Sequence, residues 1–213
     1  DEESRSLSLK LVHMNPEFYT CWNYRRNALL SLVASSSPQP VDVAKMLDDE
    51  LMLTLSCLKK YPKSYWVWNQ RQWCLENHPQ ANWAQELKFV DKMLQMDARN
   101  FHGWGYRRYV VAHAEPRVTA RHELAATRAK IADNFSNYSA WQYRAQVFDD
   151  AFTDLLASYP EGLAEATAAA RYLEVVKQDL ELVRNALFTD PDDQSAWLYH
   201  ARLLGMTRSD VAQ

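Results

Sequence analysis

The chain has 213 residues, 47% of them hydrophobic and 24% charged, enough for a sizeable core or for a solenoid of five or six helical hairpins. Its four glycines argue against a turn-dense β fold, and a net charge of −3 supplies no basic field for nucleic acid or acidic membrane. Three cysteines (Cys21, Cys57 and Cys74) form no CxxC pair and make an odd count, so disulfide staples and a zinc knuckle are not expected and a reducing, intracellular setting fits. No apolar run approaches the roughly 18 residues of a membrane span. The chain opens on Asp1-Glu2-Glu3, with neither a methionine nor a signal peptide, and reads as a trimmed piece of a longer protein.

In chain order, Leu7, Leu11 and Met14 mark a first helix, followed by Asn15 to Arg26, which contains Trp22-Asn23-Tyr24-Arg25. Ala34 to Pro40, rich in Ser and Pro, reads as a loop. Leu47, Leu51, Leu55 and Leu58 predict a helix at spacings of four, four and three, and Tyr61 to Gln72 then repeats the motif around Trp68 and Arg71. Leu87, Val90 and Leu94 lead to a third copy at Asp97 to Arg108, with Trp104 and Arg107. Leu124 and Ile131 lead to a fourth at Asn134 to Ala145, with Trp141 and Arg144. Asp149 to Ala170 reads as an insertion, partly disordered. Leu173, Val176, Leu180, Val183 and Leu187 form the clearest stripe and precede a fifth copy around Trp197, where His200 replaces the arginine. Residues 206–213 read as a tail.

The five tryptophans lie 46, 36, 37 and 56 residues apart. A period on the order of 35–45 residues indicates stacked two-helix units, so the fold is expected to be an all-α solenoid of five hairpins over residues 1–205. Four positions before each tryptophan stand Phe18, Ser64, Asn100, Asn137 and Asp193, four of them good N-cap residues. Three before it stand Tyr19, Tyr65, Phe101 and Tyr138, with Gln194 the exception. Positions −3, 0, +3 and +4 are expected to share one helical face. Small residues at −1 (Cys21, Gly103, Ala140 and Ala196, with Val67 the largest) would let a neighbouring helix approach closely.

The arginines at +3 could form a basic stripe. A residue repeated at a fixed place in every hairpin is, however, structural in the first instance, able to stack on an aromatic ring and tie down a carbonyl or carboxylate. His13, His78, His102, His113, His122 and His200 show no HExxH or HxxxH spacing, so no metal ligand is assigned. No G-x-S-x-G, P-loop or GxGxxG is present. The aromatics stand at helix-packing spacing, which favours core over base stacking. From the residues alone the reading ends at a scaffold or partner subunit.

The repeated aromatic-x-x-Trp-x-x-Arg unit resembles the repeat of protein prenyltransferase α subunits, from about Leu7 to Gly205. Asn134 to Arg144 and Thr189 to His200 are most similar to the type II, or Rab, geranylgeranyltransferase member. The subunit shared by farnesyltransferase and the type I enzyme reads approximately Asp-Ala-Lys-Asn-Tyr-His-Ala-Trp where this chain has Asp97 to Trp104. Its lysine lies near the prenyl diphosphate and is matched here by Arg99.

The resemblance implies a right-handed α–α superhelix wrapped around a β subunit that carries the catalytic zinc. It implies geranylgeranyl diphosphate as co-substrate and transfer of its lipid to C-terminal cysteines of a Rab GTPase presented by a Rab escort protein. The implied setting is cytoplasmic, and the chain would be inactive alone. Arg99, Asn100, Phe101 and His102, with Asn137 and Tyr138, are the implied substrate-proximal positions. All six also sit at helix N-termini, where orphan N–H groups favour an anion and where capping is an ordinary job. A non-catalytic solenoid scaffold and the farnesyl/type I α subunit are the alternative readings.

Overall fold

The computed structural model describes residues 2–34, 42–157 and 164–209. Among them are ten helices and no strand: α1 (Glu2–Met14), α2 (Tyr19–Ala34), α3 (Val43–Lys60), α4 (Tyr65–Asn77), α5 (Trp83–Met96), α6 (Phe101–His113), α7 (Ala120–Asp133), α8 (Tyr138–Ala157), α9 (Ala164–Thr189) and α10 (Gln194–Ser209). Each motif tryptophan falls in the first turn of an even-numbered helix. The expected loop at 34–40 lies outside the described residues but for Ala34, which ends α2. Of the stretch 149–170, residues 149–157 end α8 and 164–170 open α9, so the alanine-rich run is helical; residues 158–163 are outside the described residues. Residues 206–209 of the expected tail belong to α10, and 210–213 are not described.

The described residues form two compact units, Asp1–Met93 with Gly105–Val110, and Leu94–Trp104 with Val111–Gln213. In the first, the Trp22 and Trp68 indoles donate from Nε1 to the carbonyls of Pro16 (2.8 Å) and Pro62 (2.9 Å), six residues back, which pins each turn to the helix it feeds. Three residues on, Arg25 and Arg71 are buried, and a buried guanidinium must have acceptors on all sides.

Arg71 Nη1 donates to the Leu51 carbonyl at 2.8 Å and the Thr54 hydroxyl at 2.9 Å, both on α3. Its Nε and Nη2 grip the Glu86 carboxylate on α5 at 2.5 and 2.8 Å. The Phe89 ring lies 4.0 Å below its guanidinium carbon. Arg25 repeats the pattern with the Arg5 carbonyl and Ser8 hydroxyl of α1 and with Glu50 of α3. Each carboxylate takes one more donor from its own hairpin. Gln70 serves Glu50 at 3.4 Å, and Tyr106 serves Glu86 at 2.7 Å. Burial, and then the Glu86 carboxylate, hold the Tyr106 phenol well above its usual pKa, so it stays a donor. Arg107, fully buried, instead reaches Asp91 of α5 at 2.7 Å.

The second unit uses the same parts. The indoles of Trp104, Trp141 and Trp197 donate to Ala98, Phe135 and Pro191 carbonyls at 2.7–2.9 Å. Arg144 binds the Leu124 carbonyl and the Thr127 hydroxyl of α7, and grips Asp179 of α9 at 2.9 and 2.6 Å. Tyr199 donates to the same carboxylate at 2.5 Å. Gly103 has the clearest reason to be small: a Cβ there would stand 3.0 Å from Leu94 Cδ2.

Three expectations about burial need correction. Tyr19, Tyr65, Phe101 and Tyr138 are 51–62% exposed, whereas Trp22, Trp68, Trp104 and Trp141 are at most 4% exposed. At 3.6 residues per turn, positions −3 and +3 lie about 120° apart, and one packed face cannot hold both. Trp197 is 49% exposed. Trp104 and Trp141 are covered by Tyr143 and Tyr199 of the following repeat, at ring distances of 5.8 and 5.0 Å, and no described residue supplies that ring for Trp197. The stripe on α1 also rotates, and that on α9, which keeps Val176 and Val183 buried, does so only at Leu173. Leu7, Leu11, Met14 and Leu173 are exposed, while Ser8 and Val12 of α1, and Val176, Asp179, Leu182, Val183 and Ala186 of α9, are buried. The arginine clamp selects the buried face because Ser8 and Asp179 must meet their guanidinium partners.

Arg144→Ala would leave the buried Asp179 carboxylate without its guanidinium partner. It is expected to destabilise the fold by about 3–5 kcal/mol, the range for breaking one side of a buried pair. Arg184→Ala, which removes an exposed pair with Glu181, is expected to change stability by no more than about 0.5 kcal/mol. Denaturant unfolding of the two variants measures both.

Candidate functional site

The turns that precede α6, α8 and α10 are built alike. Asp97, Asn134 and Asp190 each accept, through Oδ1, the backbone N–H two residues on, from Arg99 (3.1 Å), Ser136 (3.1 Å) and Asp192 (3.2 Å). These Asx turns are what short polar side chains favour between helices. Next come the caps. Asn100 Oδ1 accepts from the N–H groups of His102 (3.1 Å) and Gly103 (3.4 Å). Asn137 accepts from Ala140 (3.2 Å), and Asp193 from Ser195 (2.7 Å). Ser64, expected to cap α4, makes no side-chain cap bond, and its hydroxyl finds no partner among the described residues.

In the second unit, Arg99, Ser136, Tyr138, Ser139, Asp190, Asp192, Asp193 and Ser195 line an open cleft of about 480 Å³. Of the six expected substrate-proximal residues, the cleft unites only Arg99 and Tyr138. Asn100 and Asn137 are buried caps, and Phe101 lies outside the cleft with its ring 4.0 Å from that of His102. Arg99, exposed, donates from Nη2 to the Ser136 carbonyl at 3.3 Å. The cleft residues absent from the sequence expectation occupy positions −7, −5, −4 and −2 of the last two repeats. Ser136 and Asp192 are the counterparts of Arg99, and Ser139 and Ser195 those of His102. Aligning the −5 and −2 columns would have found Ser136, Ser139, Asp192 and Ser195.

Electrostatically the cleft sets one cation against three carboxylates. Asp193 is held below the usual aspartate range, first by a hydrogen bond from the Ser136 side chain, then by bonds from Ser195 and the nearby Arg99 charge. The cleft alone therefore does not draw in an anion; what it offers is an oriented guanidinium beside helix N-termini. Among the described residues no group of three or more His, Cys, Asp or Glu is placed to hold a metal ion, and no helix is long and apolar enough to cross a membrane.

The spacing of these turns and caps matches a known repeat. The family model described as protein prenyltransferase alpha subunit repeat fits residues 1–32, 47–78, 83–114, 120–151 and 176–207. The chain belongs to the protein prenyltransferase alpha subunit repeat family. It is similar, at 42% identity over 205 residues, to the geranylgeranyl transferase type-2 subunit alpha of Bos taurus and of Homo sapiens, matching 96% of this chain and 34% of each of those proteins. The Saccharomyces cerevisiae protein of that name is 37% identical over 203 residues, 92% of this chain and 57% of the relative. The chain thus spans about a third of the length of the mammalian relatives and somewhat over half that of the yeast one. Among solved structures, Candida albicans protein geranylgeranyltransferase-I complexed with GGPP matches with a TM-score of 0.66 over 98% of this chain and 61% of that one, at 24% identity. That likeness establishes the shared all-α fold of helical hairpins.

The lowered Asp193 value has a sign. A carboxyl whose folded pKa lies below its unfolded value adds stability above the unfolded pKa, and that stability is lost as pH falls through the folded pKa. NMR titration of Asp193 is expected to show a midpoint below that of an ordinary aspartate, and Ser136→Ala is expected to move it upward.

Proposed function

We propose that this chain is the helical-repeat part of the α subunit of a Rab geranylgeranyltransferase, acting with a β subunit to transfer geranylgeranyl from geranylgeranyl diphosphate to C-terminal cysteines of Rab GTPases. The observation that carries this reading is the 42% identity, over 96% of the chain, to proteins named as type-2 α subunits. Zinc, which would activate the acceptor thiolate, belongs on the β subunit in this reading. The chain is inactive alone and works in the cytoplasm, where a Rab escort protein delivers the substrate.

Two features support a partner on the turn side of the hairpins. Tyr19 and Tyr65 in the first unit, and Phe101 and Tyr138 in the second, leave large aromatic surface exposed at the first residue of their helices. Aromatic side chains are enriched at interface cores, where they supply contact area at low entropic cost. Arg99 stands beside Tyr138 at the cleft and can donate hydrogen bonds to a diphosphate, with the N-termini of α6 and α8 adding favourable partial charge. Because Asp190, Asp192 and Asp193 outweigh Arg99, the remaining cations for the diphosphate come from the β subunit. Asn100 and Asn137 act through the caps they form, keeping both helix ends in place.

The test is recovery of partners with this chain as bait, followed by lipid transfer assayed on a Rab protein with its escort. Recovery of a zinc-containing β subunit and transfer to a Rab tail with paired cysteines are expected. Transfer to a short CaaX peptide instead would favour the farnesyl/type I subunit, and a stable chain that recovers no such partner would favour a scaffold. In the active heterodimer, Arg99→Ala is expected to lose about 1–3 kcal/mol of transition-state binding, the value of a hydrogen bond to a charged group. Unchanged turnover would remove Arg99 from the site.

A further inference from the structure

Several turns of the first and second units are tied in the same way. Asn15, Asp97, Asn134 and Asp190 each accept, through Oδ1, the backbone N–H two residues on, at 3.1–3.2 Å. Short polar side chains favour such a tie. Between α4 and α5 a histidine makes it instead. His78, which caps the C-terminus of α4, accepts the Gln80 N–H through ring Nδ1 at 3.0 Å. Pro79 between them has no N–H to offer, and among the described residues the Gln80 N–H has no other acceptor. The turn leads into α5, whose first turn carries Glu86, the carboxylate that Arg71 grips.

That hydrogen bond fixes the tautomer. A ring nitrogen that accepts carries no proton, so the proton of the neutral ring sits on Nε2. The His78 side chain is 6% exposed, and Nε2 lies 3.3 Å from Asp48 Oδ1 on α3, close enough for charge attraction but without hydrogen-bond alignment. Asp48 is the charged group that meets the ring; among the described residues α4 and α5 place no other carboxylate or cation against it.

A second proton can enter the ring only at Nδ1. It would set two N–H donors head to head across 3.0 Å, where donor and acceptor now meet. On the other side of the ring the gain is small, because Asp48 is 66% exposed and a pair with a solvated partner contributes little. Asp48 is enough to keep the charged ring in place, and the bond to Gln80 is the contact that gives way.

We propose that His78 is a proton-operated latch on the turn between α4 and α5: the neutral ring holds the turn through the Gln80 N–H, and protonation at Nδ1 releases it while the ring stays beside Asp48. The turns tied by Asn15 and Asn134 have no such switch, since an amide oxygen accepts at any pH at which the protein is folded. Released, the turn leaves the entry to α5 held by the Asn82 cap, whose Oδ1 accepts the Gln85 N–H at 2.9 Å.

The experiment follows hydrogen exchange at the Gln80 amide in the intact protein, corrected for the intrinsic rate, from about pH 8 down to about pH 5, the range in which histidines change charge. It compares wild type, His78→Asn and His78→Ala. Protection in the wild type is expected to fall by about tenfold as pH drops, the net contribution of one hydrogen bond. His78→Asn can make the same tie with an amide oxygen and should stay protected throughout, whereas His78→Ala should lack the protection throughout. Wild-type protection that does not change with pH overturns the proposal, as does a pH dependence that survives in His78→Asn. A fall shared by buried amides of α4 such as Leu75 also overturns it, because that is loss of the unit rather than release of a turn. Should His78→Ala not fold, the wild type and His78→Asn still decide. The ring nitrogen NMR shifts read the starting state independently: the Nε2–H tautomer is expected at the upper end of the pH range, and the Nδ1–H tautomer there overturns the latch.

Discussion

A buried guanidinium that must be satisfied on every side determines much else in this chain. Arg71 is anchored to a carbonyl and a hydroxyl on its own hairpin, and to a carboxylate on the next. Arg144 does the same with Leu124, Thr127 and Asp179. A planar fork of five donors tolerates little misalignment, so the clamp fixes the register of one hairpin on its neighbour within each unit. It also decides which face of α1 turns inward, against the pull of its leucine stripe. Hydrophobic burial supplies most of the stability of such a fold, but it is non-directional, and the clamp supplies direction.

The candidate site follows from that register. With the helices fixed, the indole of each motif tryptophan holds the carbonyl six residues earlier, and the turn is held against its helix. Asx turns and caps then satisfy the backbone donors at the helix tips. Packing leaves positions −5 and −2 free to differ between repeats. Arg99, Ser136 and Asp192 share one of these columns, with different chemistry at each place. A repeat that is structurally strict at 0 and +3 can therefore carry a site at its variable columns. The cleft in the second unit is the candidate for such a site, lined by residues from three turns.

Much of this was legible in the sequence. The spacing of Trp22, Trp68, Trp104, Trp141 and Trp197 indicated helical hairpins, and the fixed +3 place of the arginines pointed to a tether. The acceptors were harder to see. Glu50, Glu86 and Asp179 read as polar interruptions of apolar stripes, and their role depends on contacts between residues 15 to 35 positions apart. The exposure of Tyr19, Tyr65, Phe101 and Tyr138 was missed because shared spacing was taken for a shared face, although the first residue of a helix lies beyond its neighbour. Asp193 read as a cap and is one; its proximity to Arg99 is a tertiary fact that no local pattern encodes.

The central claim is that the helix tips beginning α6 and α8 face the lipid diphosphate in a complex with a β subunit. Hydrogen exchange at the amides of residues 99–103 and 136–140, in the heterodimer with and without geranylgeranyl diphosphate, tests it most directly. The account predicts slower exchange at both tips when the diphosphate is bound, with the buried helix centres unchanged. Equal exchange at both tips in the presence of saturating diphosphate would contradict it.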